Sequence, residues 1–180
     1  MGITQKIIPH YTYEDYILWE GNWELIDGFP IAMSPSPVPK HQRISAILIT
    51  AFELALKKCT TCNVYNPVDY YVDDYTILQP DLMILCQKPT KKFIDFTPAL
   101  VAEILSPSTA LRDRNTKYEL YQKEGVPYYL IVDTDNKKME IYQLTNRKYV
   151  LVPAKEDNRF VFYFEDGCVA NVNLDEVWVE

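Results

Sequence analysis

Ala99-Leu100-Val101-Ala102-Glu103-Ile104-Leu105 holds one acid inside an otherwise unbroken apolar run, and Gln79-Pro80-Asp81-Leu82-Met83-Ile84-Leu85 opens a second run on another acid. A segment apolar at successive positions predicts a strand buried on both faces. A carboxylate in such a strand loses much of its hydration, which is costly unless a cation or hydrogen-bond donor compensates. Two such acids, followed by a helix carrying Lys117, make a divalent cation the economical explanation.

Working outward, residues 12–20 predict a short helix with Thr12 as N-cap and Glu14 and Asp15 in its first turn. Trp23-Glu24-Leu25-Ile26-Asp27-Gly28 reads as a strand entering a tight turn, with residues 29–33 returning beside it. The proline-rich residues 34–39 form a loop, since proline lacks the donor a ladder needs. Residues 41–58 predict a long helix burying Ile44, Ile47, Leu48, Ala51, Leu54 and Ala55. Short strands follow at about 63–72 and 81–86, then a strand at 99–105 that Ser106-Pro107-Ser108 ends. A helix over 111–124 stops at Gly125 as a left-handed cap. Residues 128–132 make a strand, 139–144 and 149–152 a hairpin around Thr145-Asn146-Arg147, and the tail repeats short β patterns to Val177-Trp178-Val179. Strands and helices with short connections indicate one mixed α/β domain spanning 1–180.

Nearly half of the 180 residues are apolar, which suits a substantial core. No segment has the long uncharged apolar character of a membrane helix, and no basic region followed by an apolar core opens the chain. The expected location is the cytoplasm. A net charge of −7 argues against broad adhesion to nucleic acid, but not against a nuclease with a local basic groove and bound cations. Cys59-Thr60-Thr61-Cys62 has the CxxC spacing, yet no second close pair completes a zinc site. Four reduced structural or surface thiols, with Cys86 and Cys168, is the reading, and a redox role for Cys59 and Cys62 is the minor alternative.

Carboxylates converging at one sheet edge would suit magnesium, which prefers oxygen ligands in an octahedron and can activate water and polarise a phosphate. Asp81 and Glu103 are the natural metal pair, and the Ile104 carbonyl could add a ligand. Asp113, Lys117 and Tyr121 are four residues apart and share a helix face. A helix folded back over the Glu103 strand would bring the Lys117 ammonium to the acids. Glu24 is the third acid, suited to holding water or helping a second cation.

The ordered set Glu24-Leu25-Ile26-Asp27-Gly28, Met33-Ser34-Pro35, His41-Gln42, Pro80-Asp81 and Val101-Ala102-Glu103-Ile104-Leu105-Ser106-Pro107-Ser108 resembles the Uma-two family. The match continues through Asp113-Arg114, Lys117, Tyr121 and Gly125-Val126 to Tyr128-Tyr129-Leu130-Ile131-Val132-Asp133, covering about residues 13–133. The resemblance implies a restriction-endonuclease-like core of the PD-(D/E)XK type: a central mixed β-sheet flanked by helices, here with a β-rich C-terminal part. It implies a magnesium-dependent nuclease site, with manganese as a substitute and DNA as substrate. Asp81 would be the proline-preceded acid, Glu103 the second acid and Glu24 the N-terminal acid. Leu105 stands where that pattern expects a lysine, so Lys117 would be a substitute supplied by the following helix.

Each residue also has a plainer reading. Asp81 could cap the turn after Pro80, Glu103 could pair with Arg112 or Arg114, Lys117 could be solvated, and Glu24 could face water on its hairpin. His41 and Gln42 could donate hydrogen bonds to a phosphate but read first as helix-start residues with local partners, and Arg112 and Arg114 could contact a backbone phosphate but read first as a solvated charged turn. The competing function is a nuclease-fold binding or regulatory module without turnover, and a third is a hydrolase of another phosphate compound. A homodimer would supply two sites for a cut on both strands.

Overall fold

The computed structural model describes residues 8–33, 38–154 and 157–178. Its main sheet has six strands in the order β10-β9-β8-β7-β6-β3, from Lys148–Leu151 (β10), Lys138–Thr145 (β9), Tyr128–Asp133 (β8), Leu100–Ile104 (β7), Leu82–Leu85 (β6) and Asn63–Tyr65 (β3). Only β7 and β8 run parallel within it; the other neighbours are antiparallel. β6 and β7 are buried at every position, as their uninterrupted apolar character requires.

A second sheet, ordered β2-β1-β5-β4, is built from Phe29–Ala32 (β2), Trp23–Ile26 (β1), Thr76–Leu78 (β5) and Tyr70–Asp73 (β4). The β1–β2 hairpin turns at Asp27 and Gly28, with φ of 48° and 76°, the left-handed pair that matches strand twist. A Cβ at Gly28 would also meet the His10 ring at 2.3 Å. The predicted strand region 63–72 divides into β3 and β4, and β5 returns through the turn at Asp74 and Tyr75.

The two faces of the main sheet have different covers. Leu82, Ile84, Leu100, Ala102, Ile104, Leu130 and Val132 pack on the helix Pro39–Ala55 (α2) and on the hairpin of Arg159–Tyr163 (β11) and Val169–Asn173 (β12). The helix begins two residues earlier than predicted, with a proline in its first turn, where a missing N–H costs nothing. Ile44, Leu48 and Phe52 form its buried line, whereas Leu54 is 68% exposed, against expectation. The opposite face, with Met83, Leu85, Val101, Tyr129 and Ile131, packs on Tyr121 and Val126 and on the second sheet.

The predicted helix over 111–124 is three joined pieces: Ala110–Arg112 (α3), a π-helical turn at Asp113–Lys117, and Tyr118–Lys123 (α4). Gly125 follows at φ 79°, the expected cap. Tyr13–Tyr16 (α1) is shorter than predicted but is capped at Thr12, whose N–H donates to Asp15 at 2.8 Å. The expected strand at 177–179 is instead a 3-10 turn at Leu174–Trp178, with Val179 outside the described residues, as is most of the 34–39 loop. The expectation of four reduced thiols is also corrected, since Cys59 is joined to Cys168 and Cys62 to Cys86, partners too far apart in sequence for spacing to reveal. No described helix is long and apolar enough to cross a membrane.

Candidate active site

Strand alternation decides where the central acid points. Ala102 and Ile104 face α2, so Glu103 faces the α3–α4 side. Leu82 pairs with Ala102 across β6 and β7, which sets the next residue on each strand, Asp81 and Glu103, side by side. β1 brings Glu24 from the second sheet, and the π turn brings Asp113 and Lys117, only 1% and 2% exposed. Single π turns of this kind recur at functional sites.

Lys117 Nζ lies 2.6 Å from Glu24 Oε1, 2.9 Å from Glu103 Oε1 and 3.7 Å from Asp113 Oδ1. The Tyr121 hydroxyl donates to the same Glu103 oxygen at 2.7 Å. Asp81 Oδ2 accepts the Ile104 N–H at 2.8 Å and sits 3.3 Å from His41 Nε2. The Gln79 N–H donates to Glu24 Oε1 at 3.0 Å, and Arg112 Nη2 lies 3.4 Å from Glu24 Oε2. Tyr129 donates to the main-chain carbonyl of Asp113 at 2.9 Å, which anchors the π turn to the sheet.

All four residues singled out from the sequence therefore gather, but not equivalently. Asp81, Glu103 and Lys117 line a cavity of about 480 Å³ together with His41, Arg112 and Asp113. Glu24 is fully buried and does not line it, so its contacts are Lys117, Arg112 and the Gln79 N–H. The plainer readings of Glu24 as solvent-facing and Lys117 as solvated fail on burial. Glu103 pairs with Lys117 rather than with an arginine, and Arg114 instead bonds both Glu140 oxygens at 3.0 Å.

The charges explain one another. Burial alone would lower the Lys117 pKa, but Glu103, Glu24 and Asp113 outweigh it and raise it, keeping the ammonium charged. Burial lifts Glu103 well above the carboxylate range; Lys117 opposes this, and Asp113, Asp81 and Glu24 reinforce it. Burial likewise raises Asp113, again against Lys117. Burial would lower His41, yet the hydrogen bond and charge of Asp81 raise it. Four acids, Glu24, Asp81, Glu103 and Asp113, thus share the basic side chains Lys117 and Arg112, with His41 beside Asp81. Glu24 Oε2 and Asp113 Oδ1 are buried without a hydrogen-bond partner among the described residues.

His41, Arg112 and Asp113 belong to this cluster too: the sequence favours local partners for His41 and offers Glu103 as a partner for Arg112, which instead meets Glu24. His41 has a partner forty positions away, and only tertiary structure reveals it. The i, i+4 spacing of Asp113, Lys117 and Tyr121 was the one usable signal for Asp113.

A family model, Uma2, described as "Putative restriction endonuclease", matches residues 13–163. An uncharacterized protein of Synechocystis sp. is 31% identical over 144 residues, with 74% of each chain covered. A crystal structure from Anabaena variabilis, described as "a putative nuclease belonging to DUF820", superimposes with a TM-score of 0.73 at 14% identity, covering 93% of this chain and 97% of that one. That likeness is one of fold. The chain belongs to the Uma2 family.

Proposed function

We propose that this cleft hydrolyses phosphodiester bonds in DNA with a divalent cation, magnesium or manganese, held by Asp81 and Glu103. One observation carries the reading: the protein's donors engage one oxygen of each acid and spare the other. Ile104 and His41 meet Asp81 at Oδ2, and Lys117 and Tyr121 meet Glu103 at Oε1. Asp81 Oδ1 and Glu103 Oε2 have no hydrogen bond among the described residues. These two unbonded oxygens, on residues that the β6–β7 register sets side by side in a cluster with more acids than bases, form a hard donor set that fits such an ion. The Ile104 carbonyl is a candidate third ligand, since that residue also lines the cavity.

A cation bound there would supply Lewis acidity, lowering the pKa of a water and offsetting phosphate charge. The chain's own residues do the rest. Lys117, held protonated by its acidic neighbours, places positive charge where the phosphate would sit. Glu24 and Asp113 fix the ammonium, so they act as positioning residues. Arg112 and Lys40 on the cavity wall offer cationic contacts to the nucleic-acid backbone. The family description as an endonuclease supports the same reaction class. Residues 1–180 serve as one domain on this reading, and a homodimer would present two clefts to the two strands.

The test is cleavage of plasmid and branched DNA with magnesium, manganese or chelator. Asp81→Asn and Glu103→Gln should abolish metal-dependent cutting while circular dichroism shows an intact fold. Clean protein that binds DNA with metal but never cuts it would overturn the reading in favour of a binding module.

A further inference from the structure

None of the four cysteines lines the cleft; they meet at one point where three parts of the chain join. Cys59 and Cys62 lie between α2 and β3, Cys86 directly follows β6, and Cys168 directly precedes β12. The Sγ atoms of Cys59, Cys62 and Cys168 all lie within 4.8 Å of one another, and Cys86 is bonded to Cys62. Two cross-links do not by themselves require all four sulfurs to share a locus. Four ligands around zinc would: Zn–S bonds of about 2.3 Å in a tetrahedron put the sulfurs about 3.8 Å apart.

The surroundings are those of thiolates. The Cys62 N–H donates to Cys59 Sγ at 3.1 Å, within the CxxC turn. The Thr61 hydroxyl lies 3.2 Å from Cys168 Sγ and 3.7 Å from Cys59 Sγ. Donors converging on sulfur stabilise negative charge there, as they do around metal-bound cysteine. Cys62 and Cys168 are 3% and 8% exposed, which shields the locus from water. Lys57 and Lys58, both exposed, immediately precede the pair in sequence. The CxxC cysteines do not pair with each other, unlike those of a CxxC redox disulfide.

We propose that the reduced protein binds one zinc ion through Cys59, Cys62, Cys86 and Cys168, and that the two disulfides are the oxidised, metal-free form of this site. The interconversion balances with a dithiol as reductant. Two dithiols give four electrons and four protons to the two disulfides, yielding four thiols and two oxidised dithiols. Zinc then takes the four thiolates, and four protons are released. An all-sulfur donor set favours zinc over the hard cations suited to the cleft. The site would clamp the end of α2 and the edge of the main sheet to the C-terminal hairpin.

The full chain, reduced with a phosphine under argon, is titrated with zinc against a chromophoric chelator and separately with cobalt. One zinc per chain is expected, displaced stoichiometrically by a mercurial, with cobalt giving an intense thiolate charge-transfer band and a tetrahedral visible spectrum. Glu103→Gln should leave both readouts unchanged, which separates this site from the cleft. Cys168→Ser should weaken zinc retention at least tenfold; if that variant misfolds, the cobalt spectrum of the unaltered chain still decides. Folded, reduced protein retaining less than about a tenth of an equivalent of zinc, or giving cobalt without the thiolate band, overturns the proposal.

Discussion

Replacing Lys117 with methionine tests whether the buried acids are held in place by a cation. The ammonium lies 2.6, 2.9 and 3.7 Å from carboxylate oxygens of Glu24, Glu103 and Asp113. At an effective dielectric of about 20, a contact of that length is worth roughly 4–6 kcal/mol in Coulomb energy, most of it cancelled by desolvation. Removing one member of a buried ion pair costs about 3–5 kcal/mol net, because the remaining charge has no compensation. Methionine roughly keeps the volume, so packing contributes little of this loss. In a chain of this size, about 2–4 °C of melting temperature per kcal/mol converts the loss to roughly 6–20 °C. The sign with pH follows from the raised pKa values of Glu103 and Asp113. Lys117 holds both down, so its removal raises them further and the folded variant takes up protons more readily than the folded parent; the deficit of the variant should therefore narrow as pH falls. Magnesium should stabilise parent and variant alike, by about 2.7 kcal/mol at a hundredfold excess over the dissociation constant, and should narrow the deficit only as far as the variant, freed of the competing ammonium, binds it more tightly. Thermal unfolding followed by circular dichroism, with chelator and with magnesium, measures both effects. A variant melting within about 2 °C of the parent in chelator at neutral pH would refute the charge-compensation argument.

Two further outcomes follow from packing and charge away from the cleft. Burial would raise the Glu140 pKa, but hydrogen bonds from Tyr142 and Arg114 outweigh it and hold it below the ordinary value, so its contribution is complete above the unfolded pKa and lost as pH falls through the folded one. Glu140→Gln should therefore cost about 1–3 kcal/mol at pH 7, with the gap from the parent narrowing as pH falls through the folded pKa; urea unfolding at neutral and acid pH checks it, and a gap that does not narrow in acid would refute it. Phe52→Ala should cost about 3–5 kcal/mol, whereas Leu54→Ala, at a residue 68% exposed, should stay within about 0.5 kcal/mol. Equal losses in chemical denaturation would contradict the observed orientation of α2.

What the sequence made legible was local. The runs at 81–86 and 99–105 announce buried strands because continuous apolarity needs no partner to be recognised. The turns at Asp27-Gly28 and Asn146-Arg147 are likewise written into adjacent residues, all with positive φ in the structure. What stayed hidden depends on distant chain segments. Glu24 meets Lys117 across 93 positions, and nothing near either residue marks the other. The face of α2 was misjudged because a helical stripe has a width: Leu54 lies at its margin, and only the position of β11 and β12 shows that Phe52 takes the centre. The π turn was invisible for another reason, since Asp113 and Lys117 at i, i+4 fit an ordinary helix equally well.

The position of Lys117 has a consequence for how this cleft is maintained. β7 ends at Ile104, and Leu105, which shares the parity of Glu103, packs against the apolar cluster under α4 while its N–H bonds the Val132 carbonyl at 2.9 Å. The ammonium that faces Glu103 therefore comes from the covering helix and not from the strand. Its placement depends on how α3, the π turn and α4 dock on the sheet. That docking rests on aromatic packing: Tyr118 meets Tyr142 and Tyr149 with ring centroids 5.1 and 5.2 Å apart, and Tyr121 meets Tyr129 at 5.0 Å. Tyr121 and Tyr129 also bond the cleft's own groups, Glu103 and the Asp113 carbonyl. Helix docking and charge placement are thus one event. A helix displaced by even an ångström would leave Glu103 and Glu24 buried without their cation, so the cost of unpaired charge itself holds the helix in register with the sheet.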